Sequence, residues 1–262
     1  MLVMKFGGAS VKKAESFLKL AKIIIERSLL HKKIAVVVSA MEGTTDQLLS
    51  LAREVHPQPP EREQDMLVSV GERISISLLA MALARAGKAA VSFTGSQSGI
   101  ITCEHHSDAK IVDVRPKRIK EALELGKVAI VAGFQGVSTK GEITTLGRGG
   151  SDTSAVALAV SLNAPTVEFY KDVSGIFEED PKVKPVAKVY PHLSYKEALE
   201  MALKGAKVLH PRAIELAEKN QIELRVRSFE NPSDMGTIVR SDKQIESQKG
   251  SMCYEVKTCS LS

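Results

Sequence analysis

A chain of 262 residues is long enough for one large domain or two modest lobes, with ample material for a buried core in either case. Charged residues are 26% and hydrophobic ones 44%, and the net charge of +5 is spread with no lysine or arginine block beyond pairs, which argues against a dedicated nucleic-acid surface. Aromatics are only 4% with no Trp, so stacking platforms for single strands are not expected either.

The chain begins "MLVMKFGG", four apolar residues before a lysine, which is short of a signal-peptide core, and no run is expected to reach membrane-spanning length. Cys103, Cys253 and Cys259 form an odd set without metal-like spacing, so free thiols in a reducing compartment, the cytoplasm, are expected. In chain order, "LVMKF" (2–6) reads as a strand ended by Gly7-Gly8, and residues 14–30 show helical apolar spacing. "KIAVVVSA" (33–40) is rich in β-branched residues, as a strand covered on both faces would be. Helices are expected from Thr45 to Val55 and over 62–86, separated by "HPQPP". Further strands are "KAAVSFTG" (88–95) and "KVAIVAGF" (127–134), each preceded by a helix-ending Gly. "APTVEFYKDVSG" (164–175) and "IELRVRS" (222–228) complete the set, and the apolar pattern decays after "NPSDMGTIV". Alternating strands and helices predict an α/β fold with a largely parallel sheet, whose ligands sit beyond the carboxyl ends of the strands.

Polar and glycine-rich segments fall at those ends. "TTLGRGGSDTSAVALAV" (144–160) passes from a polar, glycine-bearing turn into an apolar helix. Unpaired N–H groups and the helix dipole favour an anion there, and Gly149 and Gly150 let the backbone approach it. "GGS" alone would read as a turn with Ser151 capping the helix. Arg148 and Asp152 beside it shift the balance, since a cation adds charge-assisted bonds to phosphate and a carboxylate orients a second charged group. "KFGGAS" (5–10) repeats the theme with Lys5 inside an apolar strand. Lys5 is either an edge-strand lysine with its head in water or a cation held at the sheet's carboxyl edge to neutralise charge during phosphoryl transfer. No Walker motif, kinase "HRD" or "DFG", or dinucleotide fingerprint is present. "SAMEGTTD" (39–46) is a hydroxyl-rich turn after a buried strand. In "GERIS" (71–75), Glu72 and Arg73 stand in an apolar helix, where a surface pair is the plain alternative. His210 in "GAKVLHPRA" (205–213) reads as a structural histidine just before a proline that begins a helix. His105 and His106 have no carboxylate or cysteine at ligand spacing, so no metal site is expected.

These motifs resemble the aspartate kinases of the amino-acid kinase superfamily. "KFGGAS", "VVVSAMEGTTD", "VGERIS", "VAGFQG", "GEITTLGRGGSDTSAVALA", "KDVSGIFEEDPK", "YKEALEMALKGAKVLHPRA" and "NP…GT" stand in that family's order over roughly residues 1 to 240. The resemblance implies a three-layer α-β-α sandwich around a parallel-rich central sheet. It divides the kinase domain, 1–240, into an amino-acid-binding lobe (about 1–163) and a nucleotide-binding lobe (about 164–240), with 241–262 a polar tail or a connector lacking the family's C-terminal ACT modules. The implied substrates are L-aspartate and ATP, with Mg²⁺ arriving on the nucleotide and no dedicated metal ligands. The implied partners are further copies of the chain, as a homodimer or higher homo-oligomer, with no nucleic acid and no membrane.

By the same resemblance Lys5 and Asp152 are catalytic, Lys5 at the travelling phosphoryl group and Asp152 orienting it. Thr45, Glu72, Arg148, Gly149, Gly150 and Ser151 bind aspartate, Glu72 at its α-ammonium and Arg148 at a carboxylate. Lys5, Phe6, Gly7, Gly8, Lys171, Asp172, Phe177, Asp180 and Lys207 bind ATP. Lys171, Ser174 and Lys182 stand where the family has Thr, Asp and Arg, so the departures gather at the nucleotide loop. A catalytically weak regulatory or binding paralogue, and a kinase for another small amino acid, are the alternatives.

Overall fold

The computed structural model describes residues 1–179, 186–206 and 208–241; the sequence-predicted tail lies, beyond Ser241, outside the described residues. In chain order the strands are β1 (Leu2–Phe6), β2 (Ile34–Val38), β3 (Ala90–Phe93), β4 (Ile100–Thr102), β5 (Ile111–Val114), β6 (Val128–Ala132), β7 (Gln135–Ser138), β8 (Ile143–Thr145), β9 (Thr166–Lys171), β10 (His192–Leu193), β11 (Glu223–Ser228) and β12 (Thr237–Val239). The helices are α1 (Ala14–Leu30), α2 (Thr44–Val55), α3 (Glu61–Val68), α4 (Val70–Arg85), α5 (Gly95–Ser98), α6 (Lys117–Glu124), α7 (Gly150–Ser161), α8 (Tyr195–Leu203) and α9 (Pro211–Asn220).

The main sheet has eight strands in the order β10-β12-β11-β9-β1-β2-β6-β3. Neighbours are parallel except β11 and β12. Period-two alternation divides the side chains between two cores. Leu2, Met4 and Phe6 of β1, with Val36 and Ile130, pack under α1 and α4. Val3, Val37, Val131 and Phe169 pack against α6, α7 and α9 on the other face. This is the three-layer α-β-α sandwich. All five residues of "IAVVV" are buried, which a strand covered on both faces requires.

α7 is the central helix. All twelve of its residues are buried, and its Gly, Ser, Ala and Val side chains let it lie close on β1, β2 and β9 with α9 beside it. Its N-terminus is thereby brought to the carboxyl edge of β1. On the opposite face a buried network ties α1 to the sheet. Glu168 of β9, fully buried, accepts from Arg27 and from Tyr170 Oη (2.9 Å), and Arg227 Nε lies 3.4 Å away.

The structure departs from the sequence reading in three places. The helix expected over 62–86 is two helices, α3 and α4, meeting at Ser69, whose carbonyl accepts from Gln135 Nε2 at 2.8 Å. Residues Glu61–Arg85 do have the length and mean hydropathy (1.6) of a membrane-crossing segment, which the sequence reading did not find; half of that window is buried inside the fold, as in a core helix. A second, four-stranded sheet, β5-β4-β7-β8, was not foreseen, because strands of three or four residues carry too little periodicity to be read.

Candidate active site

A cavity of about 710 Å³ opens beyond the carboxyl ends of the central strands, bounded by α2, α3, α4, the second sheet and the start of α7. Lys5 reaches it because alternation along β1 turns its side chain toward α7. β1 lies in the middle of the sheet, so the edge-strand alternative does not hold, and Lys5 is only 5% exposed. Its Nζ is 2.6 Å from Asp152 Oδ1, in the first turn of α7. Lys171, the last residue of β9, places Nζ 3.3 Å from the other oxygen, Oδ2.

One carboxylate thus stands between two ammoniums. Burial alone would raise the Asp152 pKa, but the charges of Lys171 and Lys5 reverse this and hold it well below the usual carboxylate range. Lys171 is pulled down to about 8, chiefly by burial; Asp152 opposes the shift and Lys5 adds to it. Two ammoniums about one carboxylate leave an excess of positive charge where β1 and β9 end, offset in part by the exposed Asp172 next to Lys171. A Cβ on Gly7 would stand 3.5 Å from Lys5 Nζ, so the bare glycine leaves room directly over that ammonium. This is a cradle for an anion with a cation at its base.

Glu72 forms the opposite wall. It is 2% exposed, so it is no surface pair with Arg73. Its Oε1 accepts from the Ala40 N–H at 3.0 Å, while buried Oε2 has no partner among the described residues. Burial pushes its pKa up to about 7, against the lowering effect of the Ala40 and Glu72 N–H groups and of Gln135. A buried carboxylate oxygen with no donor, lining a cavity, is suited to a cationic ligand group.

Thr45 and Arg148 also line the cavity, and Arg148 is exposed with no ion-pair partner among the described residues. Gly149 and Gly150 complete that turn. Gly149, not Ser151, occupies the cap of α7, with φ +71°. Ser151 lies inside the first turn and lines the cavity, because the left-handed Gly149 starts the helix two residues earlier than a cap at Ser151 would. His210, the cap residue of α9, packs against Gly149.

The structure brings Lys5, Gly8, Thr45, Glu72 and residues 148–152 around one cavity. Phe6 points the other way, buried and stacked on Tyr170 (centroids 4.8 Å apart), so only its backbone can face the Gly7 turn. Lys171 reaches the site through Asp152, and Asp172 follows it, exposed, beyond the edge of β9. Phe177 is half-buried and bridged to Val189. Asp180, Lys182 and Lys207 lie outside the described residues.

Sequence reasoning passed over Gln64, Ser107, Phe134 and Thr145, which line the same cavity. It also passed over Asp65, whose Oδ2 lies 2.8 Å from His106 Nδ1. His106 therefore does meet a carboxylate, supplied from 41 residues away, although no group of three or more His, Cys, Asp or Glu able to hold a metal occurs among the described residues.

Residues 1–228 match the amino acid kinase family. The aspartokinase of Corynebacterium glutamicum is 49% identical over 240 residues, which are 91% of this chain and 57% of that one. A crystal structure of aspartate kinase from Synechocystis superposes with a TM-score of 0.81 at 46% identity, over 94% of this chain and 40% of that one. Aspartokinase III of E. coli, in complex with aspartate and ADP, gives a TM-score of 0.84 at 28% identity, over 93% of this chain and 65% of that one. The chain thus spans little more than half the length of the curated relatives it matches. With the match covering nearly all of the sheet and every strand that borders the cavity, the chain belongs to the amino acid kinase family.

Proposed function

We propose that the chain transfers the γ-phosphoryl group of ATP to the β-carboxylate of L-aspartate, giving 4-phospho-L-aspartate. The observation that carries this reading is Asp152 between Lys5 and Lys171 near the ends of β1 and β9, with Lys5 and Asp152 lining a cavity that Glu72 also lines, its Oε2 without a partner among the described residues. Cations over a glycine turn suit a phosphoryl group in flight. A carboxylate and an exposed guanidinium lining the same cavity suit the two ends of an α-amino acid. The aspartate and ADP bound by the E. coli relative support the same pair of substrates here.

In this reading Glu72 takes the α-ammonium, and Arg148, with Thr45 and the Gly149–Ser151 backbone, takes a carboxylate. The β-carboxylate then faces Lys5. It is already ionised and nucleophilic, so no general base is needed, and the residues contribute alignment and charge neutralisation. One β-carboxylate oxygen attacks the γ-phosphorus, the bond to the bridging oxygen breaks, and ADP leaves with that electron pair. Lys5 stays on the transferring oxygens throughout, held by Asp152. Lys171, Asp172 and Phe177 mark the nucleotide side, beyond β9. Mg²⁺, when bound, neutralises triphosphate charge; with no ligand cluster among the described residues, it would ride on the phosphates. Residues up to about 163 would form the amino-acid lobe and those from about 164 to 240 the nucleotide lobe, in a cytoplasmic homodimer or larger homo-oligomer.

The test is ADP release across a panel of amino acids, with hydroxylamine present to trap an acyl phosphate as the hydroxamate. Aspartate-dependent release with hydroxamate formed is expected. Release with a different amino acid would move the acceptor, and release with none would leave a nucleotide-binding paralogue.

A further inference from the structure

Asp65 of α3 is fully buried and makes no ion pair with a lysine or arginine among the described residues, yet it takes no part in the chemistry just described. Its two oxygens are saturated from two other segments. Oδ1 accepts from Thr145 Oγ1 at 2.5 Å and from the Ser107 N–H at 3.1 Å. Oδ2 accepts from the Thr145 N–H at 3.1 Å, the Ser107 N–H at 3.1 Å and His106 Nδ1 at 2.8 Å. Backbone donors of this kind stabilise a buried carboxylate, so the cost of burying it is met by fixing those two backbones.

Both backbones belong to the cavity wall. Ser107 and Thr145 line it, as does Gln64, whose Nε2 donates to Ser107 Oγ at 3.3 Å. Thr145 is the last residue of β8 and leads through Leu146 and Gly147 into Arg148. Ser107 is held at φ +64°, in the left-handed region that a serine rarely adopts. Such a residue persists only where its surroundings over-determine it, and Asp65 supplies that determination through the Ser107 N–H. From the far side Arg212 donates to Leu146 O (2.6 Å) and Ala109 O (3.1 Å), clamping the same two segments.

We propose that Asp65 is a positioning residue for acceptor recognition: by holding Ser107 and Thr145 it sets the wall that carries Arg148. This rests on the reading that the cavity takes the acceptor amino acid. Asp65 touches no substrate; it acts through residues that do. Loss of its charge and of one acceptor should therefore loosen the acceptor side alone.

The test is Asp65→Asn, with aspartate and ATP affinities measured separately by calorimetry and by steady-state kinetics. The aspartate KM should rise roughly tenfold, in line with the cost of misplacing a positioning group, with kcat at saturating aspartate and the KM for ATP little changed. Adding Ser107→Gly should recover part of that loss, since glycine holds a positive φ without support. His106→Ala, outside the cavity, should give a smaller rise of the same kind, and it serves as the reading should Asp65→Asn fail to fold. Unchanged aspartate affinity in folded Asp65→Asn, or in His106→Ala when that is the reading, overturns the proposal. So does an equal weakening toward both substrates that Ser107→Gly does not repair. Wild-type protein that binds no aspartate sinks the functional reading instead, so the two failures are distinct.

Discussion

His210 lies so close to Gly149 that a Cβ on the glycine would stand 2.0 Å from the imidazole Cγ. The contact joins the cap of α9 to the cap of α7, two helices whose starts are far apart in the chain. It adds to the demand of φ +71° at Gly149, which costs an L-residue roughly 1–2 kcal/mol. Gly149→Ala should therefore displace the turn that carries Arg148. A lowered melting temperature together with a raised aspartate KM is expected; a variant normal in both would show that the turn adapts freely.

Lys5 should matter to rate more than to folding, because Asp152 keeps Lys171 when Lys5 is gone. Lys5→Met is expected to lower kcat by about 10²–10³, the usual effect of removing one group aimed at developing charge. Circular dichroism and thermal melts check that the fold survives. Near-native turnover would remove Lys5 from the chemistry.

For Arg148, the substitution that discriminates is to lysine, which keeps the charge and loses the planar two-pronged donor. The aspartate KM should rise by roughly tenfold, about 1.4 kcal/mol of lost recognition, while the KM for ATP holds. Should the ATP term move and the aspartate term stay, Arg148 belongs to the nucleotide side.

Glu72 predicts a pH dependence with a definite sign. Its pKa in the fold is about 7, raised from 4.5 by burial, so between those values the folded protein carries a proton that the unfolded chain has lost. Stability should accordingly fall as pH rises through that window, and level off above about 7. Binding of an ammonium needs the ionised form, so the aspartate KM should climb as pH drops below about 7. Glu72→Gln should abolish the Glu72 part of the stability slope and weaken aspartate at every pH. Melting curves and KM values from pH 5 to 8.5 read both effects; a KM profile that keeps its wild-type shape in Glu72→Gln would assign the titration elsewhere.

The parallel sheet was legible in the sequence, because β-branched runs such as "IAVVV" have only one comfortable setting, buried on both faces. So were the glycine turns after β1 and before α7, since bare backbone beside a lysine or an arginine has few uses other than approaching an anion. The sequence also singled out Lys5, a charge in an apolar strand being costly without a purpose, and Arg148 and Asp152 beside the glycines that open an apolar helix, while Glu72 drew its role from the family resemblance. It could not say which charge meets which. Asp152 stands between Lys5 and Lys171 only because β9 pairs with β1 and small side chains let α7 lie close on both. Glu72 read equally well as a surface residue, since helical spacing leaves open what covers a given face; only the packing of α4 on the sheet turned it inward. Asp65 was invisible for the same reason. Its partners Ser107 and Thr145 sit on segments too short to show a period, and they converge on it through a second sheet whose hydrogen bonds are all long-range in sequence or formed across short turns. Local pattern determined which residues had to be buried or bare. The pairing of distant charges was decided by the order of the strands, which no local pattern encodes.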